Sequence, residues 1–277
     1  MNESAVLASG LGLVESVRWH DDALWFADWT AGAIHRLDPI SRVDQIVHRV
    51  DSLPLCFDFA ADGRLVVLDS RQGWLLRGRV GSTLEPWVDV SAVGPAGNEV
   101  VATRDGGCFL NFANFDPRQG FPDRPVGRIA HVDRDGQVHV VAEHLAFPNG
   151  MGIADGGRTL VVAESHAARL SGFRIGSHGE LTQRRTWAEV PGSAPDGISV
   201  DPDGVCWFAD VPNQEVVGVA AGGTVHARLA ADRGAFSCAV APDSQVYGAV
   251  AHWPGGERMF DPSHTWDGSI VALWQSR

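Results

Sequence analysis

A short pattern recurs six times along the chain, and this repeat restricts the possible folds more than any other feature. Each copy begins with a turn containing Asp or Gly and continues with four mostly apolar residues before its last position. The copies end at Asp28, Asp69, Phe112, Glu164, Asp210 and Val250, which are 40 to 52 residues apart. Six turn-rich units of this length are typical of a β-propeller with four-stranded blades.

The segments between the copies also favour an all-β fold. Residues 32–38 and 127–133 alternate apolar and polar side chains, as the third strand of a blade would. A TIM barrel would require helical segments of roughly ten residues or more between its strands, and the sequence contains none. We therefore predict a single six-bladed β-propeller domain over residues 1–277, in which the first strand of each blade lines a central channel.

Charge and composition exclude several classes of partner. The chain carries a formal net charge of −12, and nucleic acids and anionic membranes both require a basic surface. No apolar run reaches the roughly 18 residues that span a bilayer, and residues 1–12 lack the features of a secretory signal. Without CxxC pairs, the four cysteines are expected to be reduced core thiols. We expect a cytoplasmic monomer or small homo-oligomer.

One position of the predicted innermost strand has an oxygen-bearing side chain in four of the six repeats. Alignment of the strand that precedes each repeat turn gives six equivalent residues: Glu15, Leu55, Asn98, Asn149, Asp196 and Phe236. Four of these six carry a carboxylate or an amide. Since the innermost strands surround one axis, these side chains converge. Two carboxylates that face a narrow channel repel each other unless a cation lies between them.

Carboxylate and amide oxygens are typical ligands of hard divalent ions. They favour Ca²⁺ or Mg²⁺, although Zn²⁺ and Mn²⁺ also accept them. We predict one divalent metal ion in the central channel, with calcium favoured. The pairs Asn149-Gly150 and Asp196-Gly197 have an alternative interpretation as ordinary turns, because Asn and Asp before Gly are common turn formers. The coincidence of four oxygen-bearing residues in one register favours the metal site.

Five short motifs, taken in order, resemble the family of gluconolactonase, regucalcin and luciferin-regenerating enzyme. They are residues 14–19, 98–99, 147–150, 195–197 and 236–239, and the resemblance extends from residue 12 to residue 274. It implies a six-bladed propeller and a metal-dependent hydrolase of sugar lactones. By the same resemblance, Glu15, Asn149 and Asp196 would bind the metal, and Asp196 would also be the general base. Asn98 would contact the substrate or complete the coordination, with Glu99 beside it in a substrate-binding role.

The chain departs from the family pattern near two of these motifs. Val17 stands where the family usually has Pro, and Glu99 stands where Asp is common. Ala96 stands where sugar-lactone members often have Arg, two residues before Asn98. The loss of that guanidinium removes a bidentate partner for sugar oxygens. This departure weakens the prediction of a sugar substrate but not that of a metal site.

The predicted activity is the opening of a lactone by a divalent-metal-dependent hydrolase, with the ion polarising the carbonyl and Asp196 as general base. One alternative is the same metal site acting on another ester or phosphoester, or in a ring-forming biosynthetic step. Another is a calcium-binding propeller without catalysis. The absence of G-x-S-x-G and H-E-x-x-H motifs argues against the hydrolase classes that carry them.

Three further sets of residues have expected places. The acids that end four of the copies, Asp28, Asp69, Glu164 and Asp210, are expected to form turn or inter-blade hydrogen bonds. His166 and His252 follow strand ends and are candidate proton donors to the leaving group. Residues 114–125 contain two aromatic residues and three prolines. This composition predicts a loop that covers the pocket or, alternatively, a plain surface excursion.

Overall fold

The strands form six antiparallel sheets of four strands each, counted over the residues that the computed structural model describes, 3–115, 122–123, 126–255 and 263–274. The innermost strands are β2 (Val14–His20), β6 (Leu55–Phe59), β10 (Gly97–Ala102), β14 (Pro148–Ala154), β18 (Pro195–Val200) and β22 (Gly234–Val240). The second strands are β3 (Ala23–Asp28), β7 (Leu65–Asp69), β11 (Cys108–Ala113), β15 (Thr159–Glu164), β19 (Cys206–Asp210) and β23 (Val246–Ala251).

The outer half of each sheet completes the blade. The third strands are β4 (Ala33–Leu37), β8 (Trp74–Gly78), β12 (Gly127–Val132), β16 (Arg169–Ile175), β20 (Glu215–Val219) and β24 (Gly268–Trp274). The outermost strands are β5 (Asp44–Arg49), β9 (Glu85–Asp89), β13 (Val138–Leu145), β17 (Leu181–Glu189), β21 (Val225–Ala230) and β1 (Glu3–Leu11). A short 3₁₀ turn at Ser165–Ala167 follows β15.

The innermost strands contact one another in a closed ring. Each of them touches the innermost strand of the blade before it and of the blade after it, and β22 touches β2. The repeat found in the sequence corresponds to the second strand of every blade. The prediction of a six-bladed propeller with four-stranded blades is therefore confirmed. In the described part of the chain, no helix is both long and apolar enough to cross a bilayer.

The sixth blade is built from both ends of the chain. Strand β1 pairs antiparallel with β24, with Ala5 opposite Ala272 and Val6 opposite Val271. This strand was not predicted from the sequence, because no repeat turn precedes it. Its pairing covers the edge of β24 and joins the last blade to the first, and a propeller built in this way leaves only short, protected sheet edges.

The second strands supply most of the core because they are covered on both faces. All residues of β3, β11 and β15 are buried, whereas those of the outermost strand β5 are exposed or half-buried. This difference explains why the second strands have the continuous apolar runs that made the repeat visible. The four cysteines are buried and free, so the prediction of reduced core thiols is confirmed.

Acids at the ends of second strands fix the chain just before the innermost strands. Asp28, Glu164 and Asp210 accept backbone N–H bonds from Gly12, Ala146 and Ala194 at 2.8, 2.7 and 3.3 Å, respectively. Asp69 instead accepts N–H bonds from Arg71 and Gln72 in the turn that follows it. The predicted turn role is confirmed for Asp69, whereas these backbone bonds of the other three acids hold the segment that leads into their own blade and do not join two blades. In three blades this bond determines where the innermost strand starts.

Glu164 carries the densest of these networks. Its side chain is fully buried and accepts bonds from Arg184 at 2.9 Å and from Ser171 at 2.5 Å, as well as two from Arg169 at 3.1 Å. Burial by itself would raise the pKa of Glu164. The bonds from Arg169, the Ala146 N–H, Ser171 and Arg184 outweigh burial and lower this pKa from 4.5 to about 2.

We expect Glu164→Gln to lower the free energy of unfolding by about 3 kcal/mol at pH 7, the value of a pKa shift of this size. Because the folded-state pKa is depressed, the stabilisation is complete above the unfolded-state pKa and disappears as the pH falls from about 4.5 towards 2. Urea unfolding of both proteins between pH 7 and pH 3 measures this difference. A difference that stayed constant over the whole range would contradict the prediction.

Candidate functional site

The four predicted oxygen-bearing residues share one location at one end of the channel. We call the end at which the innermost strands begin the entry face. Glu15, Asn98, Asn149 and Asp196 are each the second residue of β2, β10, β14 and β18, respectively. The remaining two positions of the ring are filled by Leu55 and Phe236, which are buried in one common hydrophobic cluster.

The ring position lies within a β-bulge in four of the six innermost strands and directly before one in β2. In β10, Gly97 lies opposite Phe112 and Glu99 lies opposite Asn111, so that Asn98 has no partner on β11. Similar register shifts occur in β2, β14, β18 and β22, whereas the pairing of β6 is regular. A bulge bends its strand and redirects the side chain of the extra residue. The bulges therefore distinguish the ring position from the rest of each strand.

Gly150 and Gly197 allow neighbouring innermost strands to approach closely. A Cβ atom at Gly150 would lie 2.4 Å from the backbone nitrogen of Ile198 and 2.5 Å from the carbonyl oxygen of Asp196. A Cβ at Gly197 would lie 2.7 Å from Ser237 Oγ and 2.8 Å from Ser237 Cα. Both glycines lie inside strands, so the alternative interpretation of these pairs as turns is wrong.

A polar network joins the ring residues of blades 3, 4 and 5. Asn98 Nδ2 donates to Asn149 Oδ1 at 3.1 Å, and the Asn149 side chain also bonds to Asp196. Asn149 Nδ2 lies 3.4 Å from Ser165 Oγ, and Asn111 Nδ2 donates to the Asn149 carbonyl oxygen at 2.5 Å. Ser165 and Asn111 were not predicted, because they belong to the 3₁₀ turn after β15 and to β11 and lie outside the aligned strand.

The carboxylates at the ring are held in an unfavourable environment. Burial, followed by the charges of Asp196 and Glu99, raises the pKa of Glu15 well above its ordinary value. Burial, followed by the charge of Glu99, also raises the pKa of Asp196, against a bond from Asn149 that lowers it. Burial raises the pKa of Glu99 as well, although Arg18 opposes this shift. The ring thus concentrates negative charge where water is scarce.

Arg18 provides a positive charge beside this group of carboxylates. Its Nη2 donates to Glu99 Oε1 at 2.8 Å, and its Nε lies 3.6 Å from Asp58 Oδ1. Glu99 is almost fully buried, and its Oε1 also accepts the Val100 N–H at 2.8 Å. The predicted substrate-binding role of Glu99 stays a prediction. Sequence reasoning missed Arg18 and Asp58 because neither occupies the ring position.

The donor chemistry of the ring fits a hard divalent cation. Glu15 and Asp196 contribute carboxylate oxygens and Asn149 contributes an amide oxygen, which are the atom types that Ca²⁺ and Mg²⁺ prefer. Over the described ranges of the chain, no group of three or more His, Cys, Asp and Glu side chains is arranged to hold a metal ion. The predicted metal ligands, Glu15, Asn149 and Asp196, do not form such a group, because Asn149 contributes an amide. A cation between the two carboxylates would relieve their repulsion.

A large cavity lies at the opposite end of the channel from the ring. Its volume is about 990 Å³, and its lining includes Arg18, Asp58, His131, Met151 and Ser199. These residues come from the later parts of the innermost strands and from outer strands. None of the predicted site residues lines this cavity. We therefore place the candidate site at the ring, on the strength of its chemistry rather than of cavity size.

The remaining predicted residues lie near the entry face or outside the described chain. His166 lies in the 3₁₀ turn, and its ring meets that of Phe147 edge-on at 5.4 Å. His252 follows β23, 6.3 Å from the His264 ring. Most of the loop that was predicted to cover the pocket, residues 116–121 and 124–125, lies outside the described residues.

We expect Gly150→Ala to destabilise the protein by at least about 2 kcal/mol, because the new methyl group meets backbone atoms that cannot rotate away. The matched control is Gly94→Ala, where the added Cβ would lie 3.7 Å from Phe112 Cβ, an ordinary contact distance. Thermal unfolding of the two variants and the unmodified protein provides the comparison. Equal loss of stability in both variants would contradict the close-approach interpretation.

Comparison with known proteins agrees with this architecture. The sequence-family model described as the SMP-30/gluconolactonase/LRE-like region matches residues 13–245 of this chain. The pentonolactonase XacC of Haloferax volcanii is 26% identical over 259 residues, covering 80% of this chain and 82% of that protein. The 6-deoxy-6-sulfogluconolactonase of Pseudomonas putida is 27% identical over 222 residues, covering 76% of this chain and 72% of that protein.

A solved structure gives the same result for the fold. The calcium-binding protein regucalcin of Agrobacterium tumefaciens superposes with a TM-score of 0.78, covering 98% of this chain and 95% of that one. At 15% sequence identity, this similarity establishes the fold alone. The family model, in contrast, covers most of the chain in sequence. The chain therefore belongs to the SMP-30/gluconolactonase/LRE-like family, as its motifs predicted.

Proposed function

We propose that this protein is a divalent-metal-dependent lactonase that hydrolyses a lactone to its hydroxy acid at the ring of the entry face. The observation that carries the proposal is the placement of buried Glu15 and half-buried Asp196 beside Asn149, in a channel where their charges oppose each other. The names of the two curated relatives, a pentonolactonase and a sulfogluconolactonase, support the reaction class.

Glu15, Asn149 and Asp196 would hold the metal ion in this proposal. When bound, the ion would polarise the lactone carbonyl and lower the pKa of water. Calcium is favoured because all three donors are oxygen atoms and because a solved structure of the same fold is described as a calcium-binding protein. Asn98 is bonded to Asn149, so it is placed to orient that amide and to complete the coordination or contact the substrate.

Asp196 is the proposed general base. Its carboxylate interacts with that of Glu15 and with the Asn149 side chain at the ring, where a carboxylate can accept a proton from an attacking water. Within the site it would take a proton from the attacking water while Asn149 holds its carboxylate by a hydrogen bond. The attack on the carbonyl carbon then opens the ring by breaking the bond to the ring oxygen, which leaves as the hydroxyl group of the product after it gains a proton.

The substrate is proposed as a lactone without commitment to a sugar. Ala96, whose backbone has a positive φ of 51°, provides no guanidinium next to Asn98. The ring positions on either side of Glu15, in blades 6 and 2, are the apolar residues Phe236 and Leu55. Sugar lactones and alkyl-substituted lactones should therefore be compared directly.

We expect Asp196→Asn to lower kcat/KM for lactone hydrolysis about 10²- to 10⁴-fold, the usual contribution of a general base. Acid release from a panel of sugar and alkyl lactones, with and without EDTA, measures the effect. Asp203→Asn, in the exposed turn that follows β18, is the matched control and should keep full activity. EDTA should abolish hydrolysis, and added divalent metal should restore it.

Two outcomes would contradict the proposal in different ways. Hydrolysis that survives both EDTA and Asp196→Asn would exclude the proposed metal mechanism. Binding of a divalent ion without turnover of any lactone would favour a calcium-binding propeller that is not an enzyme.

A further inference from the structure

Arg18 is a buried cation on the innermost strand of blade 1, three residues after Glu15. Its side chain is 13% exposed, which is unusual for an arginine unless its charge is paired. Neither the ring position nor the proposed chemistry accounts for it. A guanidinium at this depth must therefore be explained by the groups around it.

The guanidinium of Arg18 bonds across three blades. Nη2 donates to Glu99 Oε1 at 2.8 Å and to the Val100 carbonyl oxygen at 3.2 Å, both on β10. Nη1 donates to the carbonyl oxygen of Val17 at 3.1 Å. Nε lies 3.6 Å from Asp58 Oδ1 on β6. The planar fork of arginine can satisfy acceptors in several directions at once, which a lysine ammonium cannot reproduce.

The position of Arg18 separates the two halves of the channel. It lines the large cavity on one side, and on the other it bonds Glu99, whose charge acts on both Glu15 and Asp196. Glu99 is 4% exposed, and a buried carboxylate without a cationic partner is strongly unfavourable. The positive charge of Arg18 also acts on Glu15, where it favours the charged carboxylate.

We propose that Arg18 is a positioning residue that holds the Glu99 side chain beside the ring and whose fixed positive charge weakens the binding of a divalent cation there. The inference rests on the proposed function, since it requires that the ring bind such a cation. In the absence of the ion, Arg18 partly balances the ring carboxylates and keeps the site folded. In its presence, Arg18 and the ion compete for the same negative charge.

Calorimetric titration of chelator-treated protein with Ca²⁺ tests this proposal. We expect Arg18→Met to bind Ca²⁺ about tenfold more tightly than the unmodified protein, since a positive charge near the site is lost. We expect Glu99→Gln to bind about tenfold more weakly, since a negative charge is lost. The Arg18→Met/Glu99→Gln double variant should return to within about threefold of the unmodified protein, because the two changes cancel in charge.

Two further variants separate charge from support of the fold. Arg184 lies on the outermost strand of blade 4 and pairs with buried Glu164 of the second strand. Arg184→Met removes this guanidinium and should leave Ca²⁺ affinity unchanged. Arg18→Lys keeps the charge but loses the planar fork that bonds Glu99 and Val100, so it should bind Ca²⁺ less tightly than Arg18→Met. In thermal unfolding, saturating Ca²⁺ should raise the Tm of Arg18→Met more than that of the unmodified protein.

The outcomes distinguish this inference from the proposed function. If Arg18 were only a structural support, Arg18→Met would bind Ca²⁺ more weakly than the unmodified protein. The double variant would then also bind Ca²⁺ more weakly than Glu99→Gln. Either result overturns the inference. The comparison of the double variant with Glu99→Gln remains decisive if Arg18→Met alone fails to fold. If the unmodified protein binds no Ca²⁺, Mg²⁺, Mn²⁺ or Zn²⁺, the proposed function fails and the inference falls with it.

Discussion

Six innermost strands can surround one channel only when the last blade is joined to the first, and the pairing of β1 with β24 makes this joint. Every ring residue depends on it, because Glu15 comes from blade 1 and Asp196 from blade 5, with blade 6 between them. The acids at the ends of β3, β15 and β19 then fix the point at which three of these strands start. Closure brings the strands together, and these bonds set their height along the axis.

Buried carboxylates stabilise the fold around Glu164 and destabilise it at the ring. Glu164 is buried with two arginines and a serine, and its pKa is lowered as a result. Glu15 is buried and Asp196 half-buried, with other carboxylates nearby, and their pKa values are raised. The same residue types thus strengthen the fold in one place and weaken it in another. Polar residues that weaken a fold are characteristic of sites where function determines the choice of residue.

The propeller and the ring residues were predictable because both follow from a repeat. The apolar second strands gave the number of blades, and counting back from their turns gave Glu15, Asn98, Asn149 and Asp196 as equivalent positions. Strand β1 escaped prediction because no repeat turn precedes it. The bulges could not be predicted, because a register shift depends on how a strand pairs with its partner. The sequence of one strand does not specify that pairing.

The supporting residues could not be predicted for a related reason. Arg18 contacts Glu99 and Asp58 only because blades 1, 2 and 3 meet at the axis, and separations of 40 residues or more along the chain hide such contacts. Ser165 and Asn111 reach Asn149 from second strands or just beyond them. The repeat identifies residues that share a position, whereas these side chains act from positions that differ between blades.

The pairing of the two chain ends also has a consequence for biosynthesis. Ala5 can meet Ala272 only after almost the whole chain has left the ribosome, and domains generally fold as units when their sequence is complete. Until then the blades can form only an open arc, in which Glu15 and Asp196 are not brought to a common axis. A chain in which β24 has not yet paired with β1 therefore lacks the closed arrangement of Glu15, Asn98, Asn149 and Asp196 around one axis.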